Sequence, residues 1–524
     1  MQKMWLRNPV AAEFMWQSDH VAAEPQHSRN RPLPLRSGFT PLAPAPIRTG
    51  CTPHRIAATQ VMRPIAHPPT PSWKAETRES FRIAGPLALA NLLQMLTYAI
   101  DVMFIARLGA DELAASALTI AVFGLIVWSL QALTGAVAPI MSAELGARGP
   151  ALRPVRRAMR MAMWLSLIVS IFGMGLCALA GPLMRTTGQE AHITELAVSY
   201  MNVMLWSVTP MVLAGVLRSY VSTLGRPIFA TLITAIGIGV NALGNWVFIF
   251  GNLGAPEMGL PGAAVATFIT SLAIVAMYAA FIRFDPRLHR YHIMGFFWRP
   301  DWARFKDIVR IGTPISITII AEAGVFGAAA FLMGRIGGLE LAAHTLALNL
   351  AAFAFQVPFG VGQAATIRVG YFFGARDAVG MARAGWTSVA MGTGFMVLTC
   401  AAMVFTPEAL LSVYIDPFDP ANEELVSLAI GFLLIAAAFQ LVDAVQAVAA
   451  GALRGLQDTR IPMWIAIFSY WVPGFGLAAG LGLYTPLAGT GVWLGLATGL
   501  AFAAVLLLHR WKNREKLGLT TRAA

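Results

Sequence analysis

The sequence predicts an all-α membrane protein with twelve transmembrane helices arranged as two six-helix lobes. Three observations support this prediction: the apolar composition, a series of apolar stretches of membrane-spanning length, and an internal repeat. Of the 524 residues, 57% are hydrophobic and only 12% are charged, whereas soluble domains contain about 25% charged residues. A soluble enzyme of this length is therefore excluded.

The segment before the first apolar stretch has a different composition. Residues 1–75 contain 12 of the 31 prolines and 9 of the 38 basic residues. Such a segment cannot build a core, so we predict a disordered tail. It lacks the apolar core of a secretory signal. Its basic residues are scattered, which favours an unfolded extension over a tether to anionic lipid. Met62 is an alternative start of the natural protein.

Twelve apolar stretches follow, each long enough to cross a hydrocarbon core of about 30 Å with roughly 20 residues. They lie near residues 83–106, 113–142, 160–180, 196–217, 227–250, 260–282, 308–333, 341–367, 385–405, 428–450, 463–484 and 486–508.

The basic residues test this count and give an orientation. If the N-terminus is cytoplasmic, 35 of the 38 Lys and Arg residues fall in cytoplasmic segments, and only Arg107, Arg185 and Arg335 fall outside. Cytoplasmic loops are enriched in Lys and Arg, so we expect both termini in the cytoplasm. The net charge of +12 is therefore an orientation signal plus a basic tail, and no nucleic-acid partner is expected.

The chain repeats itself after six helices. A shift of 228 residues aligns Arg82–Pro86 with Arg310–Pro314 and Gly146–Arg148 with Gly374–Arg376. Two copies of equal orientation predict lobes related by an axis along the membrane normal, as in alternating-access transporters. We assign residues 76–290 to an N-lobe, 291–510 to a C-lobe that includes the cytoplasmic linker, and 511–524 to a cytoplasmic tail.

Three carboxylates lie inside the predicted spans: Asp101, Glu322 and Asp443. A lone carboxylate in a membrane is costly to bury and usually functional, although a protonated group bonded inside the bundle is the structural alternative. No Lys or Arg is expected inside the membrane to neutralise these groups. The partner is therefore expected to be a proton, a metal cation or a cationic substrate.

Polar side chains accompany the carboxylate of the first span. Gln94 and Thr97 share a helical face with Asp101 because they precede it by seven and four residues. On the fifth span Asn241 and Asn245 are one turn apart. Amide oxygens beside a carboxylate suit a hard cation, while bonding between helices is the alternative role of the two asparagines.

The other carboxylates have aromatic neighbours on their helices. Phe439 and Gln446 share a face with Asp443, and Phe326 lies one turn after Glu322. An aromatic ring near a carboxylate suits a lipophilic cation, and ordinary packing is the alternative explanation.

Other features carry less information. His344 is a candidate proton relay or an interfacial histidine, and Pro139, Pro358 and Pro473 lie within spans, where they permit bending or are simply tolerated. The sequence contains no phosphate-binding loop, no HExxH and no GxSxG. ATP-driven transport and hydrolytic catalysis are therefore not expected, and neither is an enzymatic cofactor.

The carboxylates stand in segments that resemble the multidrug and toxic compound extrusion (MATE) family, in particular its bacterial NorM-like branch. The resemblance runs from Ile83 to about Arg510. The segments that carry it are Tyr98–Gly109, Val240–Phe248, Ile320–Ala323 and Val442–Gly455 with the following Leu456–Arg460.

This resemblance implies two lobes that form a V and export cationic amphiphiles in exchange for Na+ or H+. It implies cation-binding or coupling roles for Gln94, Asp101, Asn241, Asn245, Thr267, Glu322 and Asp443. The implied substrate cavity includes Phe355 and Phe439, to which Gln446 is added from its position near Asp443. Na+ is expected either at Asp101, Asn241 and Asn245 or at Glu322 and Asp443. Archaeal proton-coupled members carry a carboxylate in place of Asn245, which favours the sodium-type branch without settling the ion.

We expect a monomer in the bacterial inner membrane. One alternative is a flippase of the same superfamily for lipid-linked precursors. Its anionic substrates would require cavity Arg or Lys residues, which the predicted spans lack. Another alternative is a membrane enzyme or scaffold, which predicts a polar catalytic constellation or a soluble domain, and neither is evident in the sequence.

Overall fold

The computed structural model describes residues 71–186 and 190–520. Within these ranges the chain is helical, without β-strands. Twelve of its helices are long and apolar enough to cross a membrane, which confirms the predicted number. The predicted disordered tail falls almost entirely outside the described residues, as does Met62, so both predictions stay untested.

The twelve spanning helices are numbered α1 to α12 in chain order. They are α1 Trp73–Ile105, α2 Ala110–Arg148, α3 Leu152–Thr186, α4 Ala191–Thr223, α5 Ile228–Phe250, α6 Leu260–Phe284, α7 Trp302–Ile336, α8 Gly338–Ala375, α9 Ala378–Phe405, α10 Pro420–Gly455, α11 Arg460–Tyr484 and α12 Ala488–Lys512.

Some helices are locally irregular. In α2 the regular helix stops at Gly135 and resumes at Val137, shortly before Pro139. In α11 residues Tyr470–Phe475, which include Pro473, form a π-helical turn. Proline lacks a backbone N–H donor and so disrupts the regular hydrogen-bond ladder. Pro358, by contrast, lies within a continuous helix.

One end of the bundle, here called the basic end, includes the start of α1 and α7 and the end of α2 and α8. Aspartates cap the N-termini of α7 and α9 there. The Asp301 side chain accepts a hydrogen bond from the backbone N–H of Arg304, and the Asp377 side chain accepts one from the backbone N–H of Gly380. Burial alone would raise the pKa of Asp301, but hydrogen bonds from Arg157 and the Arg304 backbone outweigh it. The pKa of this carboxyl is therefore held below its ordinary value.

The connector between α6 and α7 packs on the N-lobe. Arg156 of α3 donates to the carbonyl of Tyr291 at 2.7 Å, and Trp164 donates to the carbonyl of Phe297 at 3.1 Å. The hydroxyl of Tyr220 on α4 donates a 2.8 Å hydrogen bond to the carbonyl of Leu288 in the same connector. These bonds satisfy connector carbonyls that would otherwise lie unpaired against apolar helices.

The two lobes touch most closely where α2 crosses α8 at the basic end. A Cβ atom on Gly146 would lie 1.8 Å from the carbonyl oxygen of Tyr371, and one on Gly374 would lie 1.8 Å from that of Ala143. Gly146 and Gly374 are the residues that the internal repeat aligns. The absence of side chains at both positions therefore lets the two backbones meet.

Two buried ion pairs join the lobes at the same end. Arg368 of α8 binds both carboxylate oxygens of Glu76 on α1. Arg304 of α7 donates to Glu144 of α2 at 2.8 Å. Each pair thus joins the first helix of one lobe to the second helix of the other. Both glutamates have fully buried side chains.

The opposite half of α1 is not enclosed in this way. Its buried residues run from Glu76 to Asn91 and then skip to Ile105. Every residue from Leu92 to Phe104 retains accessible surface. The lobes are therefore packed together at the basic end, while the half of α1 that carries Asp101 faces accessible space.

Candidate functional site

The N-lobe site is built around Asp101, which lies one turn before the end of α1. Its Oδ1 accepts a hydrogen bond of 2.6 Å from Nδ2 of Asn245, and the same nitrogen lies 3.4 Å from Oδ1 of Asn241. The two asparagines are fully buried on α5. The structure thus brings together three of the five residues predicted for this site.

Two buried oxygens, one on α5 next to Asp101 and one on the neighbouring α6, remain available to a ligand. Oδ1 of Asn245 and Oγ1 of Thr267 are buried and find no hydrogen-bond partner in residues 71–186 and 190–520. Gly244, beside Asn245, packs against Ala266 beside Thr267, so α5 and α6 are in close contact here. Carboxylate, amide and hydroxyl oxygens are suitable ligands for a hard cation.

Gln94 has a different partner. Its Oε1 accepts a hydrogen bond of 3.3 Å from Nη1 of Arg218 on α4. Seven residues of helix separate Gln94 from Asp101, which is about 10 Å along the axis. The structure therefore places Gln94 in a second polar cluster of the N-lobe, on the basic-end side of Asp101.

The C-lobe site gathers polar residues from α7, α10 and α11. Nε2 of Gln446 lies 2.5 Å from the hydroxyl of Tyr470, and Tyr470 lines a small cavity together with Glu322 and Phe326. Asp443 is 6% exposed, and it lies close enough to Glu322 for the two carboxylates to interact electrostatically. The two predicted C-lobe carboxylates are therefore brought into one cluster.

An arginine belongs to this cluster. Arg454, near the end of α10, interacts electrostatically with Glu322 and Tyr470. It lines a cavity with Gln446 and with Thr318, which lies one turn before Glu322. The structure corrects the expectation that the spans contain no basic residue. The helices run further than the apolar stretches, and the long arginine side chains at their ends reach back towards the interior.

Of the two phenylalanines predicted to line the substrate cavity, only Phe439 lies near the C-lobe site. Phe439 packs edge-on against Phe326, which lines the cavity of Glu322, with ring centroids 6.3 Å apart. Phe355 instead stacks on Phe359 of its own helix, and no contact with a carboxylate is seen for it in the described part of the chain. His344 packs edge-on against Trp493, which in turn contacts Phe439. Neither ring nitrogen of His344 has a hydrogen-bond partner within those residues.

The internal repeat relates the two arginine clusters. Gln94 and Glu322 are 228 residues apart, the shift that aligns the first helices of the lobes, and Arg218 and Arg454 are 236 apart, the shift that aligns the fourth helices. Each lobe therefore places an arginine of its fourth helix near one position of its first helix. That position is an uncharged amide in the N-lobe and a carboxylate in the C-lobe.

Sequence reasoning missed four residues of these clusters: Arg218, Asn91, whose Oδ1 also accepts a hydrogen bond from Arg218, Arg454 and Tyr470. The repeated Gly-x-Leu-Arg segments that end at Arg218 and Arg454 were the available signal. Asn91 and Tyr470 carried none, because an isolated polar residue in a span does not reveal its partner.

Comparison with known proteins identifies relatives over most of the chain. The family model described as MatE matches residues 86–247 and 314–479, two segments whose starts are 228 residues apart. "Probable multidrug resistance protein NorM" of Mesorhizobium japonicum is 40% identical over 452 residues, which cover 86% of this chain and 97% of that protein. "Multidrug resistance protein NorM" of Burkholderia vietnamiensis is 35% identical over 446 residues, with 84% and 95% covered.

Solved structures share the fold. The eukaryotic MATE transporter AtDTX14 superposes with a TM-score of 0.77 at 18% identity, covering 86% of this chain and 98% of that one. A MOP superfamily transporter from Pyrococcus furiosus superposes with a TM-score of 0.75 at 21% identity, covering 85% and 97%.

Proposed function

Because the chain belongs to the MatE family and is thus a transporter rather than an enzyme, we propose that it exports cationic or amphiphilic toxic compounds in exchange for Na+ or H+. The relatives named multidrug resistance proteins support the substrate class. The charge of the C-lobe site supports the coupling. When both are ionised, Glu322 and Asp443 carry two negative charges against the single guanidinium of Arg454, which interacts with Glu322, so one negative charge would remain to be matched.

The unmatched charge accounts for cation binding. A carboxylate in a low-dielectric interior is strongly disfavoured without a counter-charge. A proton, Na+ or the cationic group of a substrate each supplies that charge. Only one is needed, so coupling ion and substrate would compete for the cluster. Competition of this kind exchanges one cation for another across the membrane without ATP.

The N-lobe site provides a second place for the coupling ion. Asp101 is bonded to the uncharged Asn245, whose buried Oδ1 has no hydrogen-bond partner among the described residues, and such oxygens suit a hard cation. These residues fit Na+, and a proton on Asp101 is the other possibility.

The packing of the lobes gives the proposed cycle its structural basis. We place the basic end in the cytoplasm because Lys and Arg concentrate there. The structure then corresponds to a state closed to the cytoplasm by the ion pairs Glu76–Arg368 and Glu144–Arg304. Transport requires a second state in which these contacts separate, and each ligand must favour one state over the other. The protein is expected to work as a monomer in the inner membrane.

A lipid-precursor flippase is the competing proposal. The half-buried Arg218 and Arg454 remove one objection to it, since an anionic headgroup needs such residues. Both arginines already have partners within their own lobes, however: Gln94 for Arg218 and Glu322 for Arg454. The cation antiporter therefore accounts better for the charges.

Transport in proteoliposomes tests the proposal. A fluorescent cationic dye should move against an imposed Na+ gradient or an imposed pH gradient, each applied separately. Antiport predicts that at least one gradient drives dye movement and that the other has a smaller effect. Dye movement that responds to neither gradient, or only to added ATP, would rule the proposal out.

A further inference from the structure

Arg218 has an unusual environment for a charged residue. Its Nη1 donates to Oε1 of Gln94, and its Nη2 donates to Oδ1 of Asn91 and approaches the carbonyl of Leu87 at 3.5 Å. All three acceptors lie on α1. The guanidinium of α4 therefore binds two turns of the neighbouring helix through uncharged oxygens, and no carboxylate pairs with it among the described residues.

Asn91 extends these contacts across the lobe interface. Its Oδ1 accepts from Arg218, and its Nδ2 donates to the carbonyl of Gln356 on α8 at 3.4 Å. Asn91 is 5% exposed. At the same level, a Cβ atom on Gly360 of α8 would lie 2.6 Å from the backbone nitrogen of Ala88 on α1. An unbroken chain of contacts thus runs from α4 through α1 to the C-lobe.

This chain ends where the enclosure of α1 ends. Asn91 is the last buried residue before the accessible stretch that carries Asp101. A hydrogen bond to a charged group is stronger than one between neutral groups, and it fixes the side-chain rotamer of its acceptor. The orientation of Asn91 that reaches Gln356 is therefore held by Arg218.

We propose that Arg218 is a positioning residue that holds α1 through Asn91 and Gln94, and thereby couples the N-lobe cation site to the contact between the lobes. This inference rests on the proposed alternation between two states. In this proposal Arg218 helps to keep the basic end closed, and it does not contact the transported compound.

Three variants and one control isolate this role. Arg218→Gln removes the charge, and Asn91→Leu removes both hydrogen bonds of the asparagine while keeping its size. The double variant combines the two changes. Thr231→Val is the matched control, because Thr231 of α5 donates to the carbonyl of Pro86 at 2.7 Å. It also binds α1, but only from within the N-lobe.

The readout is the distance between the lobes at the basic end. Spin labels on cysteines at Arg153 and Val379, which are exposed on α3 and α9, report it by pulsed electron paramagnetic resonance in a cysteine-free background. We expect Arg218→Gln and Asn91→Leu each to raise the population with separated lobes by about tenfold, the effect of losing one hydrogen bond to a charged group. The double variant should show no larger change than either single variant.

Other outcomes overturn the inference. Unchanged distances in Asn91→Leu and in a folded Arg218→Gln protein would show that the chain does not hold the lobes. Additive effects would show that the two residues act separately, and an equal effect of Thr231→Val would show that any tether of α1 suffices. If Arg218→Gln does not fold, Arg218→Lys and Asn91→Leu decide the question. Because the labels are read without substrate or gradient, the result is independent of the transport assay.

Discussion

Gln94 and Glu322 occupy the same position in the two halves of the repeat, and each lies near an arginine of its lobe's fourth helix. The duplicated framework has thus been kept while the charge has changed. In the N-lobe the arginine binds an amide and holds a helix. In the C-lobe the equivalent arginine interacts with Glu322, one of the two carboxylates of that cluster.

Exchanging these two residue types should therefore have unequal effects. Glu322→Gln gives the C-lobe the amide that the N-lobe has, and it removes the carboxylate that interacts with Arg454. We expect gradient-driven dye transport to fall at least tenfold. Gln94→Glu keeps an acceptor for the guanidinium of Arg218, and Asp101 and Asn245 are untouched, so we expect transport within about threefold of the unmodified protein. Initial rates in proteoliposomes measure both. Loss of transport in Gln94→Glu, with normal transport in Glu322→Gln, would contradict the assignment of coupling to the C-lobe carboxylates.

The ion pair between Glu76 and Arg368 should be sensitive to loss of one partner. Arg368→Gln leaves the fully buried Glu76 carboxylate unpaired, and breaking a buried pair costs about 3–5 kcal/mol. We expect a marked loss of thermal stability in detergent. The double variant Glu76→Gln/Arg368→Gln should recover most of it, since no buried charge remains.

A surface pair serves as the control for that experiment. Arg82 lies 3.6 Å from Glu79 with both side chains exposed, and exposed pairs contribute less than about 1 kcal/mol. Arg82→Gln should therefore leave the melting temperature nearly unchanged. A similar loss of stability in Arg82→Gln and Arg368→Gln would show that the burial of Glu76 is not the cause.

The crossing of α2 and α8 predicts a steric effect of one methyl group. Gly146→Ala or Gly374→Ala would place Cβ 1.8 Å from a carbonyl oxygen of the facing helix, so the lobes must separate at the basic end. We expect each variant to lower thermal stability and to increase thiol labelling of cysteines placed at this end.

Gly394→Ala is the control, because Gly394 lies in a helix with no atom within 4 Å of a new Cβ. Alanine is the better helix former by about 1 kcal/mol, so the control should be as stable as the parent or more so. Equal behaviour of all three variants would contradict the close crossing.

Much of this architecture could be predicted from the sequence. The apolar stretches gave the number of helices because membrane thickness fixes their length. The carboxylates at positions 101, 322 and 443 stood out because charge is rare in such stretches. Asn241 and Asn245 were placed near Asp101 by family resemblance, and Asn245 is indeed bonded to it.

The partners of these residues could not be predicted in the same way. Arg218 and Arg454 lie at the ends of apolar stretches, so the sequence alone assigns them to loops. In the structure their long side chains extend from the helix ends into the polar clusters. Gln94 shares a helical face with Asp101 but binds Arg218. Contacts between helices depend on which faces meet, and a single sequence does not contain that information.

The central claim is that the acidic cluster of the C-lobe couples cation entry to export. Dye transport by Asp443→Asn in proteoliposomes, under the gradient that drives the unmodified protein, tests it most directly. We predict movement no faster than in liposomes without protein, although the variant inserts and melts normally. Transport by Asp443→Asn at the unmodified rate would contradict the claim.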